Sequence, residues 1–268
     1  MAPICAIIRA KFAQIRPNSL SNRHLNEGEN KPPVRIGLAK QVLSMRYDNV
    51  ILDLDGPRGV PLHIGSTVFF LAVLLLPLTH RGAGFDDAML FLVLIFASVT
   101  FAGLAKAWAA HVQNIPVQRI LIYGAGSYCE HEPVPAKSEE FIVMMGPLSY
   151  LALWATGVIL SPVLAPFGLG QAIAMAAEVN LFLLLISLMP VRPMDGGYLY
   201  ELMLNRFTDR LSAQRIAGGV GVAMTLLWVP MMLYLFYQTG FALLVMPPMH
   251  EHLVMAKGQA ARRPYIRA

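Results

Sequence analysis

Apolar residues run in long stretches along this chain, and each stretch is fenced by charges, prolines or glycines. Residues 62–79 are long enough to cross a hydrocarbon core, which takes about 20 apolar residues in a helix. Residues 88–110 make a second such run, interrupted only by Lys106. Residues 141–160 and 172–189 make a third and a fourth. A fifth, 216–236, contains Pro230, which predicts a kink. Residues 241–246 are apolar but too short to span, and read as re-entrant or interfacial.

The pattern changes between the second and third runs. Residues 117–123 (VQRILIY) are β-branched and roughly alternating, and Gly124-Ala125-Gly126 follows them. This predicts a strand and a tight turn, with 128–134 returning beside it. An open strand pair cannot face lipid, so it belongs at the interface or against protein.

Composition agrees with the runs. Hydrophobic residues are 56% of the chain, charged residues 14%, and the mean hydropathy is +0.55. These values exclude an ordinary soluble domain and point to a polytopic membrane protein. The net charge of +5 is carried mostly by the tails. Basic tails beside apolar spans are topology signals, and no basic patch is interleaved with aromatics, so no nucleic-acid partner is expected. Arg9, Lys11, Arg16 and Arg23 precede the first acid, Glu27. The apolar start at Ile7 and Ile8 is too short for a secretory signal. An organelle transit peptide is one reading of this start; a cytoplasmic extension is preferred. The two cysteines, Cys5 and Cys129, form no CxxC pair and predict no disulfide framework.

The positive-inside rule puts the N-terminus in the cytoplasm. Arg192, Arg206, Arg210 and Arg215 place the loop after the fourth run on the same side, and the uncharged 161–170 on the other. Lys106 and Asp195 then reach similar depth. The basic C-terminal tail also prefers the inside, whereas five spans would leave it outside, so its side stays open.

Residues 187–197 (SLMPVRPMDGG) end the fourth run with two prolines, a carboxylate and two glycines. An acid at the end of an apolar span is a functional candidate by default. The segment resembles the N-x-x-P-x-x-P-L-D-G-G motif of site-2 proteases, the intramembrane zinc metalloproteases. Gly59-Val60-Pro61-Leu62-His63 is similar to that family's lead into its first core helix. Residues 114–120 (NIPVQRI) resemble the stretch after its metal helix, Gly124 and Gly126 its hairpin glycines, and Met145-Gly146-Pro147-Leu148 its Gly-Pro helix. The resemblance covers about 59–200 and implies the site-2-protease core, with Asp195 in the position that completes a zinc site.

The departure falls on the chemistry. Counting back from Ile115-Pro116-Val117, the family's HExxH falls on Ala102-Gly103-Leu104-Ala105-Lys106. That motif puts two histidines on one helix face and a glutamate beside them as general base. Here the positions hold Ala102, Gly103 and Lys106. Two asparagines of the family pattern are replaced by Tyr150 and Ser187. A lysine inside an apolar helix must snorkel, deprotonate or meet an anion. The functional expectation is a Lys106–Asp195 lock across the second and fourth runs.

Other clusters have plainer readings. His111 is expected near the membrane surface and His63 at the membrane entrance. Cys129-Glu130-His131-Glu132 would be split between strand faces and solvated. His250-Glu251-His252 reads as a polar interface cluster, and Asp53-Leu54-Asp55-Gly56 as a turn. Met189 and Met194 read as filler rather than copper ligands.

The sequence therefore predicts an all-α polytopic membrane protein with a site-2-protease-like helical core and a small interfacial β-hairpin. Its parts are a basic extension (1–58), the core (59–205), a further helix with a short apolar segment (206–249) and a basic tail (250–268). The function expected is that of an inactive pseudoprotease that binds or regulates membrane-helix partners, with no cofactor. Its partners would be single-span membrane proteins or other membrane subunits, besides the bilayer. Asn180, Pro190, Pro193, Gly196 and Gly197 are the expected partner-binding positions, with a groove beside Ala102 and Gly103. The alternatives are an active intramembrane zinc metalloprotease and a helical scaffold or transporter subunit.

Overall fold

The computed structural model describes residues 50–56, 59–68, 85–124, 126–239 and 248–258. Most of the first apolar run (69–79), the short segment 241–246, the extension up to residue 49 with Cys5, and the tail beyond 258 lie outside the described residues.

The β element is larger than a hairpin. Strands β1 (Val50–Asp55), β2 (Pro61–Gly65), β3 (Val117–Tyr123) and β4 (Gly126–His131) form one sheet in the order β1-β2-β3-β4. β2 and β3 run parallel, and the other two pairs are antiparallel. Two expectations are corrected here. Residues 61–65 begin no helix: Leu62 and Ile64 are buried and His63 between them is not, a period of two that pairs with β3. Asp53 to Asp55 is strand rather than turn. The chain reverses one step later, where Gly56 N–H donates to the Val60 carbonyl at 3.0 Å.

Helix α1 (Phe85–Val112) follows. It stops at Asn114, whose φ of 57° lies in the left-handed region that Asn tolerates. Ile115 N–H then closes onto the Ala110 carbonyl at 2.9 Å, and Pro116 leads into β3. α2 (Ala136–Leu164) and α3 (Gly170–Ser187) form an antiparallel pair joined through a short 3-10 turn at Ala165–Phe167. Their close approach needs Gly157, where a Cβ would fall 2.9 Å from that of Ala177. α4 (Asp195–Leu204) is short. α5 (Arg210–Thr239) is capped by Asp209, which accepts from the N–H groups of Leu211 and Ser212 at 3.1 Å. α6 (Met249–Ala256) is the last described helix.

Among the described residues four helices are long and apolar enough to cross a membrane: Asp86–Val112, Ala136–Phe167, Gly170–Ser187 and Arg210–Tyr234. They match the second to fifth apolar runs. The sheet packs on the helices through Leu62, Ile95, Val99, Ile120, Ile122 and Val179, which join β2, α1, β3 and α3 in one core.

Candidate functional site

Helix α1 is apolar all round, so its orientation comes from packing rather than from an amphipathic stripe. Its inward line is Ile95, Val99, Ala102, Lys106 and Ala109, all buried, while Phe101 and Trp108 face outward, about half exposed. Lys106 therefore points into protein, and the snorkelling alternative does not occur. Its Nζ donates to Asp195 Oδ1 at 2.6 Å and to the Ser127 carbonyl at 2.8 Å. Gly103, one turn earlier, is packed on the sheet: a Cβ there would meet Ile120 Cγ2 at 3.0 Å and Ser127 Cβ at 3.1 Å. Ala102 is fully buried, so no groove opens beside these two residues.

Asp195 reaches the lysine because the backbone before it folds tightly. Val191 N–H donates to the Met189 carbonyl at 2.7 Å and Met194 N–H to Val191 at 2.9 Å. α4 then starts at Asp195, where a carboxylate suits the positive end of the helix dipole. Gly196 and Gly197 permit the fold: a Cβ would lie 2.2 Å from the Leu188 carbonyl oxygen in one case and 2.5 Å from Val191 C in the other. Gly146 on α2 provides the remaining space. A Cβ there would fall 2.2 Å from Asp195 Oδ2 and 2.6 Å from Lys106 Cε. Three helices and the β4 backbone thus converge on one ion pair.

The pair forms part of a cleft of about 360 Å³, counting the space open to solvent, lined also by Tyr128, Cys129, His131, Glu139, Pro193 and Tyr198. Residues 127, 129 and 131 share the inward face of β4. The solvated reading of the 129–132 cluster is corrected for two of its members. Cys129 is buried, and His131 Nε2 lies 3.3 Å from Glu139 Oε2 with both side chains buried. Only Glu130, paired with Arg119, and the exposed Glu132 take the outward side. Burial pushes the Cys129 thiol up to about 12; the Lys106 charge opposes this and the Glu139 charge adds to it.

The other expected positions separate. Pro193 lines the cleft, whereas Gly196 and Gly197 are packed on their own loop. Asn180 is buried in α3, donates to the Ala176 carbonyl at 2.8 Å, and leaves its Oδ1 without a partner. His111 is exposed at the end of α1 and His63 faces Asp53 at 3.5 Å. The 250–252 cluster is corrected too. Helical spacing exposes His250 but buries His252, so the cluster is not a solvated patch. Sequence reasoning missed Ser127, Cys129, His131 and Glu139 as one wall. The signal was present in the i, i+2 spacing within β4, which puts three of them on one face.

Among the described residues no three His, Cys, Asp or Glu side chains are grouped to hold a metal ion. Asp195 offers one carboxylate, already engaged by an ammonium, and Ala102 and Gly103 offer no donor. The described residues at this position do not fit a zinc site.

The fold and this convergence of α1, α2 and α4 define the class: this is a multi-pass, site-2-protease-like membrane protein. The site-2 protease of Methanocaldococcus jannaschii superposes with a TM-score of 0.55 at 20% identity, over 81% of this chain and 99% of that one. A zinc metalloprotease of the same organism is 25% identical over 173 residues, 63% of this chain. The chain spans about half the length of that curated relative (50%). No protein-family model matches the chain.

Proposed function

We propose that this protein is a pseudoprotease of the site-2-protease type, which binds or regulates membrane-helix partners without cutting them. One observation carries the reading: Lys106, at the position that the resemblance gives to a metal-binding histidine, donates to Asp195 at 2.6 Å. A cation there repels a second cation and engages the Asp195 carboxylate. The packing at Gly103 supports the same reading, because a glutamate at that position would have to displace Ser127 or Ile120. General-base hydrolysis needs an activated water and a base, and the Lys106–Asp195 pair, with Ala102 and Gly103 beside it, supplies neither at the positions that the resemblance assigns to them. The cleft beside the pair, with Tyr128 and Tyr198 on its walls, is the contact surface for a single-span partner. The N-terminus belongs on the cytoplasmic side by the charge rule.

The test is metal analysis of the purified full chain, with and without Asp195→Ala. Substoichiometric zinc, equal in both, is expected. One zinc per chain, lost in the variant, returns the protein to the active metalloproteases, the reading that its matched relative favours. A photo-crosslinker at Tyr128 or Tyr198 in native membranes should capture a single-span protein; recovery of lipid alone sinks the binding half of the proposal.

A further inference from the structure

Helix α6 is seated on α5 at a notch made by two glycines. A Cβ on Gly221 would fall 2.1 Å from His252 Nδ1, and one on Gly218 would fall 2.3 Å from Ala256 N. His252 and Met255, three residues apart on one face of α6, are 1% and 3% exposed. The buried imidazole has a particular neighbour. Its Nε2 lies 3.2 Å from the Arg192 carbonyl oxygen. A carbonyl can only accept, so Nε2 donates. Arg192 itself is held on its other side: its guanidinium pairs with Glu201 and lies 4.9 Å above the Tyr198 ring. Three residues after Arg192 comes Asp195, and Tyr198 is a wall of the cleft.

We infer that α6 is a clamp on the Asp195 loop, with His252 as the positioning residue that holds the Arg192 backbone and, through it, the Lys106–Asp195 pair. The inference goes beyond the proposed function and does not depend on whether the cleft binds or cleaves. It follows from where the loop's freedom lies. The backbone from Pro190 to Met194 is a string of tight turns between two helices, with few ladder bonds of its own. Its conformation is set by a few turn bonds and by what grips it: the glycine contacts behind Gly196 and Gly197, the Arg192–Glu201 pair, and the His252 contact in front. Lifting α6 removes the front grip while leaving the four described long helices in place. A ligand or partner that captures α6 would therefore act on the cleft without touching it.

The experiment uses the full chain in detergent with a reporter cysteine at Met194, which is 6% exposed. Maleimide labelling of Met194→Cys is followed by peptide-resolved mass spectrometry. His252→Ala should speed it by at least about tenfold, the signature of a local opening. Gly221→Leu, which wedges α6 off its seat, should do the same. His252→Gln, whose amide can donate to the same carbonyl, should keep labelling slow. A second reporter, Ile120→Cys in the sheet core, should stay slow in every background. The clamp is overturned if Met194→Cys labels no faster in His252→Ala, if the Gln variant behaves like Ala, or if Ile120→Cys speeds up in parallel and so reports general unfolding.

Discussion

Lys106 is the residue on which the reading turns. An ammonium in an apolar helix is costly unless desolvation is offset by a close anion, and Asp195 is that anion. The two are mutually dependent, because either alone is an uncompensated buried charge. Lys106→Met or Asp195→Leu alone should each lower stability by roughly 3–5 kcal/mol, while the double variant should lose much less than the sum. Thermal unfolding in detergent across the four chains of this cycle measures it; additive losses would mean the pair is not coupled. Gly146 belongs to the same unit, since its missing side chain is the space that the pair fills. The lysine and the aspartate were legible in the sequence because a charge in a greasy run stands out. Gly146 was visible only as part of a Gly-Pro motif, since nothing along the chain says what a glycine makes room for.

At the scale of elements, small residues decide how closely helices approach. Gly157 meets Ala177 across the α2–α3 crossing, and Gly103 meets the sheet. Gly157→Leu should force α2 and α3 apart and cost about 1–3 kcal/mol by overpacking. The readout is a lower unfolding temperature than for Ile159→Leu, a change at a lipid-facing site two residues on, 66% exposed. Equal temperatures for the two would show that the crossing is loose. The long helices were readable to within a few residues, because an apolar run of spanning length has few other stable conformations in lipid. The strands were readable only in part. β3 announced itself by alternation, but β2 was absorbed into the apolar run that follows it. Short apolar segments do not separate strand from helix until a partner strand is in place.

At the scale of the molecule, the sheet, α1 and α2 enclose a thiol that reports on the whole assembly. Cys129 is 3% exposed, and its burial keeps it protonated well above neutral pH. Alkylation by iodoacetamide at pH 8, followed at the Cys129 peptide, should be very slow in the folded chain and fast in SDS. Raising the pH towards 10 should still leave labelling of the folded chain much slower than in SDS at the same pH, because the thiolate is the reactive form and stays a small minority below about pH 12. Rapid labelling at pH 8 in mild detergent would show that the sheet does not pack on the helices as described.

By itself the sequence determined that the chain is a multi-pass membrane protein, where the helices of the second to fifth apolar runs lie, and that one acid and one lysine are out of place in apolar surroundings. Those follow from solvation, which acts on each segment separately. The tertiary structure decided that the acid and the lysine meet, that a histidine and a glutamate close the wall beside them, and that the C-terminal helix grips the loop between. The Lys106–Asp195 and His252–Arg192 contacts join residues 89 and 60 positions apart, and only the packing of helices brings them within a few ångströms.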